Sequence, residues 1–482
     1  MNPLRLTYAL VMAMVLGLVA ASQALADWHR VETPNFIVYG EGNARSIVRE
    51  AEELERLDRM MRQVMNVAPS SDNPKLSVYI LPDRKAFQVI SPEAGRNTGG
   101  EYAATEFGIT AILLRGTDNH VLFHEYAHHF MLHYFPSRYP AWFIEGFAEY
   151  FATADVRDAQ SVKLGYYAPG RLAALNHQRW ISMETLLTAT PRDLGADDRA
   201  NYYALSWLLT HYLVSDRTRL QKFGAYLDGI KHGQSWDSAL RQHLDMTPDE
   251  LRAALRGYLG GSMPYGRYDL ARTTVPSQVT TLSASASDFL LISAALQRAV
   301  SNARAQALLT EARDKAPLHP NDPLALATLG NLEQVWGDDD RAEQAITRLL
   351  QIDPNHVDGL RFMAQLLIDR ARAASVPAEK SAFLAQAQRH LVKAMDVDPT
   401  DFRIYRQLAI IRSFAADYPA AGDVDTLVVA LSYAPQVSGL RVRTAQAMRR
   451  LGMNDEAEVV MGVLRNHPHG DAPEPPSEPA PQ

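Results

Sequence analysis

The sequence predicts an α+β domain, a small β-sheet with several helices, followed by an all-α helical solenoid. Three observations lead there. Short runs rich in β-branched and aromatic residues, bounded by turn residues, occupy the stretch from 28 to 118. Helical periodicity takes over from residue 119. From residue 286 onward, proline recurs at nearly the spacing of paired-helix repeats.

The elements follow in chain order. Residues 1–26 read as a secretory signal: Arg5 provides the positive start, residues 6–21 the apolar run, and Ala24 and Ala26 the small residues of a cleavage site before Asp27. The run is short for a membrane span of about 20 residues. Removal is therefore the expectation and a retained anchor the alternative. The expected destination is across the inner membrane, in the periplasm. The chain has no cysteine, which excludes disulfides, thiolate metal sites, a cysteine nucleophile and a lipoprotein anchor. Its net charge of −7 comes with no basic block or stripe, so nucleic acid is not an expected partner.

Residues 27–260 read as one domain. Strands are expected at 36–39, 76–81 and 110–114, with an amphipathic helix over 44–67 between the first two. The clustered Arg and Glu of that helix read as a solvated face. Further helices are expected at 119–135, 141–154, 200–216 and 247–259. Residues 261–285 are rich in Gly, Ser, Thr and Pro and read as a linker. Residues 286–468 carry the repeat. Pro317, Pro354, Pro399, Pro435 and Pro468 stand at intervals of 37, 45, 36 and 33, against a tetratricopeptide (TPR) period of about 34. Gly330, Ala342, Ala387 and Ala394 fall where paired helices approach closely. The 45-residue step implies an insertion around 371–380. Residues 469–482 form a Pro-rich tail that cannot build a core and is expected to be disordered.

One constellation carries chemistry. Residues 124–128 read His-Glu-Tyr-Ala-His. Positions i and i+4 share a helix face, so His124 and His128 can bind one metal ion, and Glu125 can reach a water beside it. Alone, this pattern also fits a helix with ordinary surface or core histidines. The segment Ala141-Trp142-Phe143-Ile144-Glu145-Gly146-Phe147-Ala148-Glu149-Tyr150 adds to it. A catalytic zinc site needs a third protein ligand, for which Glu145 is the candidate. Glu149 lies on the same face one turn later, placed to accept a hydrogen bond from the outer nitrogen of a ligand histidine. Pro136 and Pro140 form the turn, and Pro140 opens the second helix.

These two segments together resemble the gluzincin zinc metallopeptidases, most closely the peptidase MA-like bacterial families. The resemblance implies a zincin-like catalytic domain in which His124, His128 and Glu145 hold Zn2+ and Glu125 is the general base. The aminopeptidase N group carries a similar E-G-F-A string, whose Glu is the third zinc ligand. Thermolysin-like enzymes carry a carboxylate four residues after the ligand Glu, a role that falls on Glu149. The gap of 16 residues between His128 and Glu145 is shorter than is usual in aminopeptidases. The segment from Tyr203 to Leu213 looks like the gluzincin helix whose leading Tyr donates to the oxyanion. That role falls on Tyr203, with Tyr202 as the open alternative. Gluzincins also bind extended peptide along an edge strand. Residues 110–114 fit that strand, and equally an ordinary core strand. His120, His129 and His133 are not expected to be ligands, because one helix presents only two histidines to a tetrahedral zinc.

The implied function is zinc-dependent hydrolysis of secreted or periplasmic protein substrates, with the TPR repeats recruiting a substrate or partner on their concave face. The alternative is a TPR interaction scaffold whose zinc domain is structural or inactive. No G-x-S-x-G or P-loop string supports a serine hydrolase or a nucleotide enzyme.

Overall fold

The computed structural model describes residues 27–464 apart from 71, 72, 97, 178, 272 and 273. The expected signal at 1–26 and the expected Pro-rich tail at 469–482 lie outside the described residues. None of the described helices is long and apolar enough to cross a membrane.

The chain opens with a hairpin of β1 (Trp28–Glu32) and β2 (Phe36–Glu41), followed by helix α1 (Ala44–Met65). Strand β3 (Leu76–Leu81) and helix α2 (Arg84–Ile90) come next, then a second hairpin of β4 (Gly100–Ala104) and β5 (Ile109–Leu114). Helices α3 (Asn119–Tyr134) and α4 (Ala141–Ala152) follow. A longer helical stretch contains β6 (Ser161–Leu164), α5 (Pro169–His177), α6 (Met183–Thr188) and α7 (Ala196–Val214). Helices α8 (Arg217–Lys231), α9 (Trp236–Leu244) and α10 (Pro248–Leu259) complete it.

Strands β7 (Gly266–Asp269) and β8 (Gln278–Thr281) lie within the segment read as a linker. Strand β7 pairs with β6, and β8 adds an antiparallel edge to β1. Composition pointed to a linker because its turn formers outnumber the short β-branched run Val279-Thr280-Thr281, which a neighbouring strand turns into an edge.

The main sheet has the order β4-β5-β3-β2-β1-β8. Strand β3 runs parallel to both β2 and β5, and the outer pairs are antiparallel. Strand 110–114 is therefore interior, and the edge beside it is β4. The polar Glu101 and the small residues of β4 hid that strand from a search for apolar alternation.

Alternation along β3 divides the core in two. Leu76, Val78 and Ile80 face the large cluster formed with α1 and α3. Tyr79 and Leu81 face a second cluster that contains Phe87 and Ile90 of α2. The first repeat helix, α11 (Ala286–Leu296), completes this second cluster with Ala286, Leu290 and Ala294. The two halves of the chain thus share a core at the boundary expected to separate them.

Helix α1 also departs from the sequence reading. Glu55, Arg56, Asp58 and Arg62 are buried rather than solvated. Asp58 accepts from Arg62 Nε at 2.7 Å and from the Tyr126 hydroxyl at 2.6 Å, which fastens α1 to α3. Buried charges are tolerated where such partners compensate them.

The solenoid continues from α11 as α12 (Asn302–Lys315), α13 (Pro323–Trp336), α14 (Asp339–Ile352), α15 (Val357–Ala373) and α16 (Pro377–Val397). It ends with α17 (Phe402–Arg412), α18 (Ala421–Tyr433), α19 (Ser438–Arg450) and α20 (Asn454–Gly462), giving five helix pairs among the described residues. The expected small positions are close contacts. A Cβ on Gly330 would meet Ile346 of α14 at 2.8 Å, and Ala342, Ala387 and Ala394 are fully buried. The extra residues of the 45-residue step lengthen α15 and α16 instead of forming a loop.

Candidate metal centre and active site

Helices α3 and α4 pack against each other and bring the predicted residues together. The Asp118 side chain caps α3 by accepting from the His120 amide. Pro140 sits at the N-cap of α4. Gly146 explains how α4 is seated. A Cβ there would collide with Thr210 Oγ1 and the Ser206 carbonyl of α7, so only glycine lets the two backbones approach this closely. That approach turns Glu145 and Glu149 toward α3.

His124 Nε2 lies 3.0 Å from His128 Nε2, and Glu145 Oε2 lies 3.5 Å from each. Ligand atoms about 2.1 Å from a tetrahedral zinc stand roughly 3.4 Å apart. The donor set and its spacing therefore fit zinc. Among the described residues, these three form the one His/Cys/Asp/Glu group close enough to share an ion. Glu145 is fully buried and His128 nearly so.

Glu149, also fully buried, lies behind this trio. Its Oε1 is 3.3 Å from His124 Nδ1, the nitrogen facing away from His128 and Glu145. Arg171 of α5 grips Glu149 in a fork, with Nε donating to Oε2 at 2.8 Å and Nη2 to Oε1 at 2.5 Å. Burial alone would raise the Glu149 pKa, but Arg171 and His124 overcome it and hold the carboxyl down at about 2. Burial likewise opposes charge on His124, yet Glu145 and Glu149 push it up to about 10 in the metal-free protein.

The two tyrosines separate cleanly. Tyr202 is buried, and its hydroxyl donates to the Ala189 carbonyl at 2.9 Å. The Tyr203 ring centre lies 6.3 Å from that of His124, and the Arg171 guanidinium lies over its face at 5.3 Å. Burial, then Glu145, raises the Tyr203 pKa far above the usual phenol range, which keeps the hydroxyl a proton donor. Glu125 is half-buried next to His124.

The remaining histidines of α3 are placed elsewhere. His129 Nδ1 is 3.1 Å from the Tyr102 hydroxyl of β4, and His133 stacks on His129. Burial lowers the pKa of both, that of His133 to about 4. His120 Nε2 is 4.0 Å from Glu149 Oε2. The Tyr102 contact ties edge strand β4 to the helix that carries His124 and His128.

Sequence reasoning missed Arg171 and Tyr102. Arg171 lies 22 residues from Glu149 in a segment with no motif, so only the tertiary path of α5 reveals it. Arg298 of the repeat half was missed as well. It donates to Glu101 of β4 at 2.9 Å and lies within electrostatic reach of Glu125.

No family model and no curated protein matches the chain. Similar solved structures are found for about a third of it. A thermophilic TPR protein of Thermus thermophilus covers 35% of this chain and 85% of its own, at 21% identity and a TM-score of 0.32. A MamA protein from Desulfovibrio magneticus RS-1 covers 34% and 85%, at 18% identity and a TM-score of 0.27. Another MamA structure covers 34% and 89%, at 14% identity and a TM-score of 0.26.

Proposed function

We propose that this chain is a zinc-dependent peptidase whose helical repeats bind a protein substrate or partner. The observation that carries the reading is the convergence of His124, His128 and Glu145 at zinc-ligand spacing, with Glu125 and Tyr203 beside them.

When bound, zinc supplies a Lewis acid that polarises the scissile carbonyl and acidifies water at the site. The Glu125 carboxylate takes the proton of the attacking water and passes it to the leaving amine. The Tyr203 hydroxyl donates to the oxyanion that develops on the carbonyl. Glu149 accepts from His124 Nδ1–H, which fixes the tautomer that leaves Nε2 free to ligate, and Arg171 holds Glu149 for that purpose. Strand β4 offers an edge at which an extended peptide can pair. The N-terminal stretch read as a secretory signal is what motivates placing this action in the periplasm.

A second reading is an interaction scaffold, favoured by the five helix pairs, in which the zinc domain is structural. One experiment separates the two. Purified wild-type and Glu125→Gln proteins are loaded with zinc and incubated with casein and a peptide library. The peptidase reading expects equal zinc content and a fall in turnover of roughly 100- to 10,000-fold in the variant. Zinc at one per chain with no cleavage by wild type, of these substrates or of partners captured on the variant, would leave the scaffold.

A further inference from the structure

The tip of the β4–β5 hairpin does not end in solvent. It reaches into the concave face of the repeats, where a cavity of about 1040 Å³ is lined by alternate repeat helices and by Glu106 and Phe107 of the hairpin itself. Thr105 Oγ1 donates to the Gln297 carbonyl at 2.7 Å, and Arg403 Nη1 donates to the Phe107 carbonyl at 3.3 Å. Glu106 Oε2 accepts from Arg406 Nη2 at 2.5 Å, and its carboxylate packs so tightly on Gly439 that a Cβ there would collide with it.

Charge in this cavity is unbalanced. Seven arginines line it against three acids, Glu106, Asp358 and Asp369. Some of the excess is matched from behind. Asp401 accepts from Arg403 at 2.7 Å and lies 3.7 Å from Arg361, and Glu101 accepts from Arg298. Arg406 and Arg443 differ. Burial lowers the Arg443 pKa and neighbouring Arg406 lowers it further, while the nearby acid that opposes this is Glu106. Among the described residues, Nε of both arginines is buried without a hydrogen-bond partner. Glu106 thus holds Arg406 by a hydrogen bond and is the acid within electrostatic reach of Arg443, delivered by a loop 300 residues from Arg406 in sequence. Two arginines sharing one acid, with donors to spare, form a receptor for a further carboxylate.

We propose that this cavity docks an extended acidic segment of a partner protein, and that Glu106 on the hairpin tip is its built-in competitor. Phe107, half exposed at the cavity wall, offers an aromatic surface for apolar residues between the acids. A docked segment takes Arg406 and Arg443 from Glu106 and removes the ionic tie on the hairpin tip, leaving it held only by the Thr105 and Arg403 hydrogen bonds. The strand leading to that tip is β4, so its edge loosens as the cavity fills. The proposal uses only the repeat half of the reading above, and none of its measurements is turnover.

The test uses the full chain and a fluorescein-labelled peptide of sequence Glu-Phe-Glu-Glu-Phe-Glu. Polarisation titrations compare wild type, Glu106→Ala, Glu106→Gln, Arg406→Glu and Arg443→Glu. Removing the competitor should tighten binding by about 5- to 100-fold in both Glu106 variants. Each arginine reversal should weaken it at least about tenfold, because a like charge then faces the ligand. A lysine counterpart of the peptide and a single-stranded oligonucleotide should bind at least about tenfold more weakly than the acidic peptide. Hydrogen exchange on wild type should quicken at residues 100–109 when the peptide is added. Unchanged or weaker binding by both Glu106 variants overturns the competition, as does unchanged exchange at saturation. An oligonucleotide that binds as tightly as the peptide overturns the assignment to an acidic protein segment.

Discussion

The facing helices α3 and α4 and the repeat cavity both gather charge, and they handle it in opposite ways. Around His124 and His128, the carboxylates of Glu145 and Glu149 are fully buried, and each faces specified partners at fixed distances. Arg406 and Arg443 are partly exposed residues whose nearby acid, Glu106, is carried on a loop. The first arrangement suits a small cation held in one geometry. The second suits an anion that comes and goes. Rigidity at the first and exchange at the second follow from how completely each charge is answered by its neighbours.

The largest expected effect probes whether the contrast needs two independent halves. Leu290 of α11 packs on the sheet, whereas Leu309 of α12 packs only among repeat helices. Either residue changed to Ala should cost about 2–5 kcal/mol. Because the core crosses the boundary, both variants should melt in a single transition that carries the sheet and the repeats together. Two separate transitions by calorimetry would break that view.

Next in size is Tyr203→Phe. It should lower turnover by about 100- to 1,000-fold with zinc content unchanged. Tyr202→Phe removes a hydrogen bond to Ala189 and should act on stability rather than on turnover. A reversed pattern would exchange their roles.

Arg171→Ala sharpens the comparison from the metal side. With its fork gone, Glu149 no longer holds the His124 ring firmly, and zinc affinity should fall by about 10- to 100-fold in a competitive chelator titration. Arg171→Lys keeps the charge and loses the fork, so it should rescue only part of the loss.

Smallest, taken per pH unit, is the effect of acidity. Metal-free His124 is held protonated up to about 10, because Glu145 and Glu149 outweigh its burial. Zinc must displace that proton, so its affinity should rise with pH, by about tenfold per unit between roughly pH 6 and 8. A flat profile would mean that His124 enters the site already neutral.

How much of this was legible in the sequence depended on range. His124, His128, Glu145 and Glu149 announced themselves because i, i+4 spacing is local and a helix turns it into a face. Gly330, Ala342, Ala387 and Ala394 were readable for the same reason, since close helix pairing repeats at a fixed period. Arg171, Tyr102 and Glu106 were not, because each acts on a partner that the fold alone brings near. The edge role of β4 and the strand β8 were hidden in the same way. Short strands declare themselves through their neighbours, and Val279 sits opposite Val31, far away in sequence. The buried Asp58 and Arg62 looked like surface charge because nothing local marks Tyr126 as their partner.

Strand β8 has one more consequence, which concerns time. His29 of β1 pairs with Thr281, 252 residues later. As the chain is made or delivered from its N-terminus, β1 gains β2 almost at once, while its other edge stays open until nearly 250 more residues have arrived. An open edge is a template for wrong pairing, and so distant a contact closes slowly. The sheet is therefore begun first and finished late, and the emerging polypeptide spends that interval needing a shield that the completed molecule no longer requires.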